Sequence, residues 1–245
     1  GQTHTAVMRG LVPGTTYYYR VGQPAELTRV MQFHTQADSG APTRVLLLGD
    51  LGVPINDTGY DTEMQPIGVL HAYPLQTMQA IVDLGEATTA ASTLLVGDLS
   101  YACGTMAKWD YFLSFIEPLA STVPFMVFPG NHEVDDPALP FQVGTVDSGG
   151  ECGVPYRHYF PQPTATGHII ANRTSGRKLE LPVLYGSWNQ GLIHFVSFNT
   201  EDDFTPGSDQ LLWLERDLAA VNRSETPWIV FGGHRPYLVS SACSG

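Results

Sequence analysis

The chain reads as a layered α/β domain preceded by a short β-rich segment, and three observations carry that reading. Short apolar runs recur, each ending in a polar cluster. Helical periodicity fills several of the intervals between them. A polar linker, Asp38-Ser39-Gly40-Ala41-Pro42, separates this pattern from an aromatic, turn-rich opening. The 245 residues suffice for one large domain, or for one domain with a fragment of another.

The opening runs Thr5 to Met8, then Leu11-Val12-Pro13-Gly14-Thr15-Thr16, then Tyr17-Tyr18-Tyr19-Arg20-Val21, with a short strand from Met31 to Thr35. A Pro-Gly turn between aromatic β-formers predicts a hairpin. Its pattern, Leu11 through Pro13-Gly14-Thr15, Tyr17, Tyr19 and Val21-Gly22, resembles the closing hairpin of fibronectin type III-like domains. Residues 1–38 are therefore expected to be the C-terminal part of such a β-sandwich; an edge hairpin of the main domain is the alternative.

Beyond the linker, five apolar runs end in polar residues. Val45–Leu48 leads to Gly49-Asp50, Leu94–Val96 to Gly97-Asp98, and Phe125–Phe128 to Pro129-Gly130-Asn131-His132-Glu133. Leu192–Phe198 leads to Asn199, and Trp228–Phe231 to Gly232-Gly233-His234. Such continuous runs suit strands buried on both faces. Helical patterns cover Leu75–Leu84, Trp109–Leu119 (interrupted near its end by Pro118) and Ser208–Val221. In the last, Leu211, Leu214, Leu218 and Val221 share a face and Ser208 is placed to cap. The Gly- and Pro-rich stretch from Glu133 to Gly186 reads as an irregular surface excursion with short strands.

Charge narrows the function classes. The formal net charge is −12, with 12 basic residues that form no stripe. This disfavours nucleic acid and anionic membranes as partners. No apolar run is long enough to span a bilayer, so membrane insertion is not expected. Three cysteines, Cys103, Cys152 and Cys243, contain no C-x-x-C pair and argue against a thiolate zinc site. The odd number suggests a free thiol or a partner outside this segment, which leaves room for a homodimer, and Cys103 is a candidate for pairing with another cysteine near the site. Sequons at Asn56, Asn172 and Asn222, with few lysines, point to a glycoprotein, secreted or lysosomal/vacuolar.

The chemistry lies in position. Asp50, Asp98, Asn131 and His234 each follow a buried-strand pattern, and in open α/β sheets ligands collect outside the carboxyl ends of the strands. Two carboxylates, an amide and an imidazole suit hard or borderline ions such as iron, zinc or manganese. A carboxylate that bridges two such ions builds a clamp for a phosphoryl group. Taken singly, each aspartate could be a turn residue. Glu133 could support its loop. Arg235 could clamp phosphate or form a salt bridge. His194 reads as a core or sheet-face histidine, and Trp109, Trp213 and Trp228 as core.

Gly49-Asp50-Leu51-Gly52, Gly97-Asp98-Leu99-Ser100-Tyr101, Gly130-Asn131-His132-Glu133 and Gly232-Gly233-His234-Arg235-Pro236 resemble, in order and approximate spacing, the metallophosphoesterase motifs. Tyr101, three residues after Asp98, marks a resemblance to the purple acid phosphatases. The resemblance covers nearly the whole chain. It implies an α/β/β/α sandwich over residues 39–245, and an acid phosphatase that hydrolyses small phosphate monoesters. Its site would hold Fe(III) and a divalent ion (Zn, Fe or Mn), and a metal-activated hydroxide would attack phosphorus. It implies that Asp50 and Tyr101 bind the ferric ion, Asp98 bridges, and Asn131 and His234 bind the divalent ion. His132 would act beside the phosphate. The family closes its site with a downstream Gly-His-x-His, and no His-x-His occurs here. Continuation of the parent polypeptide past Gly245 is the expectation adopted. The other readings are a secreted binding protein with a degraded site, and a phosphodiesterase or nucleotide hydrolase on the same scaffold.

Overall fold

Inward and outward residues alternate along the opening strands. In the computed structural model the described residues are 3–37, 42–53, 74–88, 91–135, 147–162, 170–171, 178–179 and 184–238. The first elements are β1 (Thr16–Tyr19), β2 (Gly22–Gln23), β3 (Glu26–Leu27) and β4 (Met31–His34). β1 pairs antiparallel with β4, setting Tyr17 opposite Phe33. Their rings stack at 5.6 Å, with Tyr19 edge-on to Phe33 at 5.9 Å. Tyr18, between them, faces out as the two-residue period demands. These strands are consistent with part of a β-sandwich. Tyr19 ties them to the main body by donating its hydroxyl to the Ser121 carbonyl at 2.7 Å.

The main body continues with β5 (Val45–Leu48), α1 (Pro74–Thr88), β6 (Ser92–Val96), α2 (Met106–Ala120) and β7 (Phe125–Phe128). β6 is the central strand, parallel to β5 on one side and β7 on the other. The helical crossovers supply the cover that a parallel sheet needs. After α3 (Asn131–Val134), α4 (Val154–Tyr159), β8 (Ile170–Ala171) and β9 (Lys178–Leu179) come β10 (Gly186–Gln190), β11 (Ile193–Ser197), α5 (Asp209–Ala220) and β12 (Trp228–Gly232). β11 is central to a second sheet, antiparallel to β10 and parallel to β12.

Two cores define the layers. Leu95 and Val127 pack with Trp109, Phe112, Ile116 and Leu119 of α2 and Met78 of α1. Leu94 and Phe128 turn the other way, onto Phe195, Trp188 and Ile193 of the second sheet. Period-two strands thus divide their apolar side chains between helices and the facing sheet. α5 covers the outer face of the second sheet, and the order is helix, sheet, sheet, helix.

Several sequence expectations change in detail. β6 and β11 are buried as expected, but among the described residues β5, β7 and β12 lie at sheet edges. Leu47 is 71% exposed, Trp228 67% and Phe231 52%. An apolar run reveals a strand but not whether a layer covers each face. Trp109 is core, whereas Trp228 is not. α2 runs through Pro118 to Ala120, because a proline in the last turn removes only one ladder hydrogen bond. α5 is capped by Ser208, whose Oγ accepts from Leu211 N at 3.3 Å. Its inward face is more polar than the leucine spacing suggests, and Leu218 is exposed. Gln210 is buried, accepting from Asn199 N at 2.8 Å and donating to Asn199 O at 2.9 Å. Asp217 accepts from Ser187 Oγ at 2.6 Å and lies 2.9 Å from His194 Nε2. His194 is the sheet-face histidine expected. Asn56, Asn172 and Cys243 lie outside the described residues.

The loop between β11 and α5 yields a stability prediction. The Asp202 carboxyl is pushed up to about 6, first by burial and then by the charges of Asp203 and Asp209, against an opposing hydrogen bond from Asp203 N. A carboxyl raised in the folded state gives stability that is full below the unfolded pKa and lost as pH rises through the folded value. Asp202→Asn is therefore expected to stabilise the protein at about pH 7.5, by on the order of 2 kcal/mol after allowance for partial exposure. Near pH 3.5 it should do almost nothing. Thermal melts of both proteins at the two pH values check this; an equal gain at both would exclude titration as the cause.

Candidate metal centre

The candidate ligands gather at the carboxyl ends of the strands because consecutive loops run side by side there. Asp50 N donates to Gly97 O at 3.1 Å, Gly52 N to Leu99 O at 2.9 Å, and Gly97 N to Phe128 O at 3.1 Å. The loops after β5, β6 and β7 are thereby locked together. His234, after β12, arrives from the other sheet. Its Nδ1 lies 3.1 Å from the carbonyl of Val96, the last residue of β6. Gly97 admits it, since a Cβ at that position would run into the His234 ring.

Asp50, Asp98 and His234 offer ligand atoms that all lie within 4.8 Å of one another. Tyr101 joins through its hydroxyl, 2.9 Å from Asp50 Oδ1. Asn131 joins through its Oδ1, 3.1 Å from His234 Nε2. All five residues assigned as metal ligands by resemblance therefore meet on one rim. His132 lies beside them, its backbone N donating to Asp98 Oδ1 at 3.1 Å and its ring 4.5 Å from that of Tyr101. The His132 Nδ1 faces the acceptor-only carbonyl of Asp147 at 3.1 Å, with Cys103 Sγ at 3.6 Å. That carbonyl assigns the Nδ1 position a proton and leaves Nε2 turned towards Asp98 Oδ2, at 3.9 Å.

The backbone here is strained. Asp50, Asp98 and Tyr101 adopt φ of 53°, 50° and 50°, the left-handed region that side chains other than glycine seldom enter. Glu133 explains how Asp98 is held. Its carboxylate, 1% exposed, accepts from Asp98 N at 2.9 Å, Leu99 N at 2.9 Å and Gly130 N at 3.0 Å. One side chain thus grips both the Asp98 loop and the loop that carries Asn131. Arg235 forks onto Glu201, with Nε to Oε1 at 2.7 Å and Nη2 to Oε2 at 2.9 Å, so the salt-bridge reading of that residue holds.

Electrostatics fit a cation. Burial alone would push the Asp98 carboxyl up, but the hydrogen bond and charge of His234, with His132 beside it, hold it below its ordinary value. Burial alone would push His234 down; the hydrogen bond and charge of Asp98 carry it up to about 9. Burial and the charges of Asp98 and Asp50 hold the Tyr101 phenol well above its usual range. Burial and the Asp98 charge push the Glu133 carboxyl up, while the N–H groups of Leu99 and Gly130 and the charge of His234 oppose them and favour its ionised form. Oxygen atoms crowd the rim, and the proton on His234 Nε2 answers the same excess of negative charge that a metal ion would answer. Carboxylate, phenol, amide oxygen and imidazole suit a hard or borderline ion.

Asp147 is a site residue that the sequence reading did not single out. Its Oδ2 accepts from Asn131 Nδ2 at 2.9 Å. It sits in the irregular stretch, with no strand, period or motif to mark it.

Comparisons with known proteins agree with this arrangement. Residues 43–244 match the calcineurin-like phosphoesterase family, and residues 1–35 the N-terminal domain of purple acid phosphatases. The chain is 37% identical over 255 residues to the probable inactive purple acid phosphatase 9 of Arabidopsis thaliana, covering 98% of this chain and 37% of the relative. It is 31% identical to purple acid phosphatase 15 of the same plant, covering 98% of this chain and 42% of that protein. Among solved structures, purple acid phosphatase PPD1 from yellow lupin seeds superposes with a TM-score of 0.75 at 30% identity, over 96% of this chain and 38% of that one. The chain thus spans well under half the length of these relatives. With the layered fold, the shared motifs and the rim of ligands in view, the chain belongs to the calcineurin-like phosphoesterases, in their purple acid phosphatase branch.

Proposed function

We propose that the protein is a metal-dependent phosphoric monoester hydrolase whose centre holds Fe(III) and a divalent ion. The convergence of Asp50, Asp98, Tyr101, Asn131 and His234 on one rim carries this reading. An uncompensated pair of carboxylates would repel a phosphate, so cations are needed for the rim to receive one. Bound ions would neutralise phosphate charge and make water nucleophilic near neutral pH.

The chain's own residues do the rest. Asp98, held from below by Glu133, presents its carboxylate between the Asp50 and Tyr101 side and the Asn131 and His234 side. Val96 fixes His234 so that Nε2 faces inward. His132 keeps its Nδ1 proton on the Asp147 carbonyl and turns Nε2 to the centre; with the ring doubly protonated, Nε2–H would steady a phosphoryl oxygen or hand its proton to the leaving oxygen, leaving the neutral Nδ1–H ring.

Metal analysis with a visible spectrum on the protein from its source tests this. Stoichiometric iron with a second metal, a tyrosinate band and turnover of a chromogenic phosphate monoester are expected. Tyr101→Phe should abolish the band and weaken iron binding by more than the roughly 10- to 100-fold that loss of an outer partner costs, since a direct ligand is lost. A band that survives Tyr101→Phe would remove that tyrosine from the centre.

A second reading is a non-hydrolysing protein on the same fold. Several relatives are named probable inactive purple acid phosphatases. Wild-type protein that stays free of metal and inactive after iron and zinc are supplied would favour it. We also propose a secretory or lysosomal/vacuolar location. Asn222 is exposed in the turn after α5, its Oδ1 accepting from Ser224 Oγ at 2.7 Å. A mass shift on enzymatic deglycosylation that Asn222→Gln reduces is the test.

A further inference from the structure

We propose that Asp147 is a positioning residue that decides which end of the Asn131 amide faces the metal centre. The inference rests on the metal-centre reading above and adds a residue to it. An asparagine side chain has two nearly isosteric ends, and only the oxygen can serve a metal ion. Nothing in Asn131 itself selects that end. Asp147 Oδ2 stands 2.9 Å from Asn131 Nδ2, and an ionised carboxylate can only accept. It therefore takes the NH₂ end and turns Oδ1 towards His234 Nε2, 3.1 Å away. The opposite orientation would set the Asn131 oxygen against the Asp147 oxygen and aim an NH₂ group at the ligand cluster.

The same residue also reaches His132, through its main-chain carbonyl, at 3.1 Å. Asp147 thus touches two consecutive residues at the start of α3, one by side chain and one by backbone. Among the described residues its hydrogen bonds go to Asn131 and His132, on the side away from Asp50. Its effect should fall on the side of the centre that Asn131 and His234 serve, and spare the tyrosinate side. A general prop for the fold would show no such asymmetry.

The test compares Asp147→Ala and Asp147→Asn with wild type in the purified protein, using iron and zinc as probes. Zinc affinity, the tyrosinate absorption band and the melting midpoint of chelator-treated protein are read separately. Asp147→Ala is expected to weaken zinc roughly 10- to 100-fold, the usual scale for an outer partner of a metal ligand. The band and the metal-free midpoint should be kept. Asp147→Asn retains an acceptor oxygen and should recover most of the zinc affinity. Equal loss of both ions, a fall in the metal-free midpoint matching the loss of zinc, or zinc binding untouched by Asp147→Ala would each overturn the proposal. Failure of Asp147→Asn to recover affinity would overturn it as well, by making charge rather than orientation the cause. A wild-type protein that binds neither ion is a different outcome, because it removes the metal-centre reading and this proposal together.

Discussion

Replacing Glu133 with alanine is expected to lower the melting midpoint by roughly 10 °C, the largest stability effect predicted for a single side chain here. Three buried N–H groups, on Asp98, Leu99 and Gly130, would lose their acceptor at once. Each unmet buried donor costs about 1–3 kcal/mol, and together about 3–5 kcal/mol is a large part of a typical domain's stability. The left-handed backbone of Asp98 would lose the clamp that makes its conformation tolerable. Glu133→Gln keeps one acceptor oxygen but turns an NH₂ group against a donor, so it should fall between wild type and Glu133→Ala. Circular dichroism melts of the three proteins measure the series. A Glu133→Ala midpoint within about 2 °C of wild type would show that the clamp is dispensable.

Asp98→Asn addresses chemistry rather than folding. Asparagine tolerates the left-handed region and keeps an oxygen for His132 N, so the fold should survive. The carboxylate, however, is the group placed between the two sides of the centre. Its loss is expected to strip both metals and reduce turnover by about a thousandfold or more, which corresponds to roughly 4 kcal/mol of transition-state stabilisation. Metal stoichiometry and phosphatase rate on the folded variant give the answer. Retention of both ions by Asp98→Asn would rule out a bridging role.

What the sequence made legible follows from locality. Buried-strand patterns that end in Asp50, Asp98, Asn131 and His234 mark one rim, because parallel strands direct their ends the same way. The Ser208 cap is equally local, a hydroxyl and an N–H three residues apart. Less local features stayed hidden. The exposure of Trp228 depends on which strand lies at the sheet edge. The burial of Gln210 and the half-buried, inward-turned Asp217 on α5 depend on partners at Asn199, Ser187 and His194, which periodicity cannot pair with a helix. Positive φ at Asp50 and Asp98 has only the weak signature of a residue type that tolerates the left-handed region, and at Tyr101 it has none, since a hydrogen-bonded rim holds that residue there. Asp147 combines both difficulties, a lone carboxylate in an irregular stretch that is defined by what it touches.

His234 is anchored in one sheet, while Asp50, Asp98 and Asn131 are anchored in the other, and the His234 ring meets that other sheet's side at the Val96 carbonyl and at Asn131 Oδ1, each 3.1 Å away. Any ion shared by these residues would fasten the two sheets to each other. Free ion concentration would then be a variable of folding as much as of catalysis, adding about 1.4 kcal/mol for every tenfold excess over the dissociation constant. In an ion-poor compartment the two halves of the sandwich would be joined mainly by the Leu94, Phe128 and Phe195 core. Metal supply would then govern how long the protein lasts.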